Sequence, residues 1–154
     1  MNSGYYFLNM TQIIRHAQLT WLLRIILLKS RWSSVNDNDK IELLFKDGLK
    51  YYRAGNYFEA HESWEEMWSD YYLVDRRFIQ GLIQLSVSFV HLENGNIKGA
   101  KSLLNKSIEK FEEFNGTQRG INLNDLLKQI NQVNDVYANL ISVDTFDWDI
   151  IPTI

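Results

Sequence analysis

The chain has 154 residues, 45% hydrophobic and 23% charged, a balance that excludes wholesale disorder and is sufficient for one domain with a full core. Cysteine is absent, which excludes disulfides, thiolate metal sites and a cysteine nucleophile, and fits a reducing compartment. The net charge is −3 overall and +4 over residues 1–36, so the remainder carries −7, a poor match to the phosphates of a nucleic acid.

Residues 11–29, TQIIRHAQLTWLLRIILLK, come first. The apolar run Leu19 to Leu28 is interrupted by Arg24 and is too short to span a bilayer. Three readings stand: a helix packed on the body, a membrane-surface helix suited by its basic residues and Trp21, and a cleaved targeting segment. Ser33 to Asp39 reads as a polar linker, so residues 1–36 are expected to be separate from a helical domain over 37–154.

The body then reads as successive helices. The first runs from Asp39 to Arg53, with Ile41, Leu44, Phe45, Gly48, Leu49 and Tyr52 at helical spacing, and Gly55 is placed to end it. The next covers Tyr57 to Tyr71 and is followed by Asp75 to Leu92. After the turn Asn94-Gly95-Asn96 comes Ile97 to Phe114, closed by Asn115-Gly116. Leu123 to Ile141 is a last amphipathic helix, capped by Asn122 or Asn124. The apolar tail around Phe146, Trp148, Ile150 and Pro152, the single proline, is suited to packing back as extended chain. Gly55-Asn56-Tyr57-x-x-Ala60 recurs as Gly95-Asn96-Ile97-x-x-Ala100, and the hairpin spacing resembles tetratricopeptide repeats. Two copies are too few for a solenoid, so the expected fold is all-α, a compact bundle of five to six helices containing two helical hairpins.

Polar groups on apolar faces mark the candidate site. At about 100° per residue, Tyr57, Ala60, His61, Trp64, Glu65, Trp68, Tyr71 and Tyr72 share one arc, and Glu62 lies on its border. His61 and Glu65 are thus expected in the middle of the apolar face, one turn apart. The following helix is apolar nearly all round, yet Arg77, Gln80, Gln84, Ser88 and His91 form one polar stripe. Buried amides and imidazoles need partners, so the two faces are expected to meet. One outcome is a closed hydrogen-bond network that fixes helix register, with Trp64 and Trp68 at its edges. The other is a pocket lined by His61, Trp64, Glu65, Trp68, Gln80, Gln84 and His91. In that pocket His61, Glu62 and Glu65 are the catalytic candidates, and His61, Glu65 and His91 the candidate ligands for zinc, iron or manganese. A serine triad has no support, and the lone glycines form no phosphate loop.

The segments Phe45-x-x-Gly48, Gly55-x-Tyr57-Phe58-Glu59-Ala60-His61-Glu62-x-x-Glu65-x-x-Trp68, Phe78-x-Gln80-Gly81-Leu82-Ile83-Gln84-Leu85, His91 and Gly95-Asn96-x-x-Gly99-Ala100 resemble the bacterial and plastid family catalogued as domain of unknown function number 309. The resemblance covers residues 40–115, with an echo at Ile151-Pro152. It implies a compact helical domain with no agreed activity, and it places the family signature on His61, Glu62, Glu65, Trp68, Gln80, Gly81, Gln84, His91, Asn96 and Gly99. The richness in Asn, Ile, Lys and Tyr suggests an AT-rich bacterial or organellar genome, hence bacterial cytoplasm or plastid stroma. Two functions remain open at this point: a small-ligand or metal pocket, and a non-catalytic module that binds a protein partner or a second copy. Peripheral membrane contact through residues 11–29 is a third possibility.

Overall fold

The computed structural model describes residues 36–154. The expected N-terminal helix, with its membrane-surface and targeting alternatives, lies outside the described residues. The chain divides into two units, Met1–Lys40 and Ile41–Ile154. Of the first, residues 36–40 are described, and they are helical where a linker was expected. The stretch is polar but holds neither Gly nor Pro, so nothing in it breaks a helix.

Five α-helices and one minimal hairpin make up the described chain. Helix α1 covers 36–53, α2 is Tyr57–Asp70, α3 is Arg76–Glu93, α4 is Ile97–Phe111 and α5 is Leu123–Asn139. The unit Ile41–Ile154 is an all-helical bundle in which α3 packs against both α2 and α4, and α4 also packs against α5. Helix α3 is central because its sequence is apolar on most sides, with Phe78, Ile79, Leu82, Leu85, Phe89 and Leu92 all fully buried. Gly81 allows close approach: a Cβ there would lie 2.7 Å from the Phe111 ring on α4.

The repeated Gly-Asn turns have the same backbone. Gly55 and Gly95 take φ of +78° and +74°, which only glycine adopts without strain. Asn56 N–H donates to the Tyr51 carbonyl at 2.9 Å, and Asn96 N–H donates to the His91 carbonyl at 2.8 Å. Each is the six-to-one bond of a Schellman ending. Ala60 and Ala100 are fully buried one turn later, so the second helix of each hairpin lies close to the first.

Helix ends fall close to the expected positions, but α4 stops at Phe111 rather than Phe114, and α5 at Asn139 rather than Ile141. Asn122 is the cap of α5, its Oδ1 accepting from Asn124 N–H at 3.0 Å. Between α4 and α5 lies a hairpin that the sequence reading did not anticipate, Thr117–Gln118 (β1) paired antiparallel with Ile121–Asn122 (β2). Its two-residue turn, Arg119-Gly120, has φ of +46° and +82°. The tail forms two 3-10 turns, Val143–Thr145 and Trp148–Ile150, and buries Phe146 against Tyr137. No helix among the described residues is long and apolar enough to cross a membrane.

Candidate functional site

The buried stripe of α2 is Tyr57, Ala60, Trp64 and Met67. At about 100° per residue, His61 lies roughly 80° from the centre of this stripe and Glu65 about 120°. Both therefore sit on its flank, partly buried, and not in the middle of the apolar face. The expected arc left out Met67, which is fully buried and pulls the core-facing direction away from Glu65. Trp64 is core rather than pocket wall: it is 0% exposed, and its indole Nε1–H donates to the Phe45 carbonyl at 3.3 Å. Gly48 makes room for it.

The other candidates have local partners. His61 Nδ1 lies 3.2 Å from the exposed Glu62 carboxylate, without the alignment of a hydrogen bond, and the imidazole packs on Phe58. Trp68 carries the Arg76 guanidinium over its ring at 3.8 Å, a cation–π contact that fastens the start of α3 to the end of α2. His91 Nδ1 faces Asn96 Nδ2 at 3.1 Å, while Asn96 Oδ1 accepts from Gly99 N–H at 2.9 Å. His91 therefore stabilises the α3–α4 turn. Ser88 donates to the Ala100 carbonyl at 2.8 Å, tying α3 to α4. Arg77 pairs in a two-pronged contact with Glu113.

The closed network expected between the two helices does not form: among the described residues, no hydrogen bond links His61 or Glu65 to Gln80, Gln84 or His91. Three atoms of the expected cluster are instead buried without a hydrogen-bond partner: His61 Nδ1, Trp68 Nε1 and Gln84 Oε1. The metal reading fares no better. Among the described residues, no three His, Cys, Asp or Glu side chains are grouped so as to hold an ion, so His61, Glu65 and His91 do not form a ligand set.

With this geometry in view, residues 45–103 match the model of a family described as Domain of unknown function (DUF309). The match runs from Phe45 on α1 through α2 and α3 into α4, so the DUF309 segment includes every candidate residue named above. No curated protein and no solved structure matches the chain.

Two further polar features carry no sequence motif. Tyr52 and Tyr137 are buried with hydroxyls that have no hydrogen-bond partner of good geometry, and Tyr57 packs edge-on to Tyr52 at 5.4 Å. Burial holds the Tyr52 phenol far above its usual pKa, with Tyr57 and Tyr137 adding to the shift. Burial and then Glu93 push Tyr57 up to about 12. Burial also raises Tyr137, with the nearby Ser88 hydroxyl opposing it and Tyr57 reinforcing it. Apolar spacing makes such tyrosines look like core, and only their shared position reveals a polar cluster. The second feature is Arg119, which donates through Nε and Nη2 to the Asp75 carboxylate at 2.5 and 2.9 Å, both side chains largely buried. The Arg-Gly turn was its only sequence signal.

Proposed function

We propose that the seam between α2 and α3 binds a small, neutral, polar molecule without a metal. The observation that supports this is a pair of buried, unpartnered atoms, one on each helix: Trp68 Nε1 and Gln84 Oε1. Leaving a buried polar atom unpaired costs about 1–3 kcal/mol, a cost that a folded chain retains when the atom has work to do. The indole N–H only donates and the amide oxygen only accepts, so the set suits a ligand that offers both an acceptor and a donor. Glu62, set against His61, orients the imidazole, and the half-buried Glu65 one turn on supplies a carboxylate to the same flank. These three remain the groups to test for acid–base work.

Replacing Gln84 by Met tests the reading. In the free protein, Gln84→Met removes an unpaired amide oxygen and is expected to raise stability by about 1 kcal/mol in urea unfolding. In a thermal-shift screen of polar metabolites, compounds that raise the Tm of the wild type are expected to leave Gln84→Met unmoved. A destabilised Gln84→Met, or a screen in which no compound separates the two proteins, overturns the proposal.

A protein-interaction role is the second reading. It is favoured by the α2–α3 connection, where Tyr72 and Val74 are 89% and 93% exposed on either side of the buried Leu73. Two large apolar side chains held in solvent by a fixed anchor suit contact with another chain. Sedimentation of the full chain is expected to show self-association that Tyr72→Ser with Val74→Ser abolishes. A strictly monomeric wild type would exclude this homo-oligomeric form.

A further inference from the structure

The tail from Trp148 onward is fastened across the α1–α2 turn. Thr153 donates through its backbone N–H and its hydroxyl to Gln129 Oε1 on α5, at 2.9 and 3.1 Å. Arg53 Nε donates to the Ile154 backbone oxygen at 2.7 Å. Pro152 is buried. These ties hold the tail over a cavity of about 490 Å³ whose lining includes Tyr52, Arg53, Tyr57, Trp148 and Asp149. That volume lies within the range of small-molecule sites, roughly 300–1,000 Å³.

The lining has a distinct chemistry. Its charged side chains are Arg53 and Asp149. Among the described residues, the Asp149 carboxylate has no ion-pair or hydrogen-bond partner, while its backbone N–H is held by Asp147 Oδ1 at 3.0 Å. The bond from Nε to the Ile154 backbone oxygen fixes the plane of the Arg53 fork and leaves its terminal nitrogens free to donate. Trp148 stands edge-on to Phe146 at 5.1 Å, and Phe146 packs on Tyr137, so the indole is held in place. Separated opposite charges and aromatic walls together complement a zwitterion that has an apolar side chain.

We infer that the cavity between the Trp148–Ile154 tail and the α1–α2 turn binds a free α-amino acid with an aromatic or large aliphatic side chain. Arg53 takes the carboxylate. Asp149 takes the ammonium group. Trp148 and Tyr57 flank the side chain. The site shares no residue with the α2–α3 seam and stands or falls independently of it.

The test uses the full chain and three probes: L-phenylalanine, 3-phenylpropanoate, which lacks the ammonium group, and 2-phenylethylamine, which lacks the carboxylate. Thermal shift and saturation-transfer NMR at millimolar probe are expected to show binding of L-phenylalanine and markedly weaker binding of the other two. Arg53→Gln is expected to weaken L-phenylalanine by about tenfold or more, the loss expected for a charge-assisted bond. Asp149→Asn is expected to erase the preference for L-phenylalanine over 3-phenylpropanoate. Both side chains are exposed, and circular dichroism is expected to show both variants folded. The inference is overturned if none of the probes binds the wild type, if 3-phenylpropanoate binds as well as the amino acid, or if folded Arg53→Gln and Asp149→Asn bind like the wild type.

Discussion

At position 48 the helix needs a residue without a side chain. A Cβ there would lie 2.1 Å from Trp64 Nε1 and 2.4 Å from Cε2, with the indole fully buried and bonded to the Phe45 carbonyl. The ring has nowhere to go, so Gly48→Ala is expected to cost at least the roughly 1–3 kcal/mol of an overpacked core, despite the better helix propensity of alanine. Chemical denaturation measures this, and adding Trp64→Phe is expected to recover part of the loss by clearing the indole nitrogen. A Gly48→Ala protein as stable as the wild type would mean that the two helices separate readily. The spacing of Phe45, Gly48 and Tyr52 is legible in the sequence, but what Gly48 accommodates is not. Trp64 reads as core more readily than as pocket wall, and the position of Met67 on the same face settles it as core.

The two helical hairpins look alike in sequence and share their backbone turns, yet differ in capping. Asn96 closes α4 with its side chain and also meets His91, whereas Asn56 makes no side-chain cap to α2. Asn96→Ala is therefore expected to cost about 1 kcal/mol, and Asn56→Ala a few tenths at most, a difference that equilibrium unfolding resolves. Equal losses would mean that the turn backbone alone does the work. The Arg119 hairpin gives a second contrast at this scale. Arg119→Ala loses the bidentate bond to Asp75 and keeps the left-handed φ of +46°, while Arg119→Gly loses the bond and relieves the backbone. The alanine variant is expected to be the less stable by about 0.5–1 kcal/mol, and both to fall below wild type by roughly 1.5–3 kcal/mol for hydrogen bonds between charged groups. Helices were legible because Gly-Asn turns and apolar periodicity act over a few residues. The hairpin was not, because two-residue strands carry no periodicity and the Arg119–Asp75 bond spans 44 positions. The candidate site was legible as a list of residues and misleading as an assembly. His91 sits on the same stripe as Gln80 and Gln84, but its Nδ1 meets Asn96, a residue beyond its own helix.

Across the unit Ile41–Ile154, α1, α2 and α5 each bring a tyrosine to a shared interior, and the proton count there governs behaviour in alkali. Tyr52, Tyr57 and Tyr137 all hold their protons above the usual value near 10, Tyr57 to about 12, because burial disfavours the phenolate and the neighbouring groups add to it. The unfolded chain releases these protons first. A group whose folded pKa is raised contributes stability that is fully present below the unfolded pKa and is lost as pH rises through the folded one. The unit is thus expected to be insensitive to these groups below about pH 10, to weaken progressively between about pH 10 and 12, and to unfold cooperatively there. Tyrosinate absorbance from the three buried rings is expected to appear together with the loss of helical circular dichroism. Tyr52→Phe removes a hydroxyl that has no partner, so it is expected to leave neutral-pH stability unchanged or slightly higher and to move the alkaline midpoint upward. Tyr137→Phe shifts the midpoint in the same direction but gives up the neighbouring Ser88 hydroxyl, so its gain at neutral pH is smaller. Full titration of every tyrosine with the helical signal intact would mean that the interior opens to solvent without unfolding, and the three phenols would then have no part in holding the bundle together.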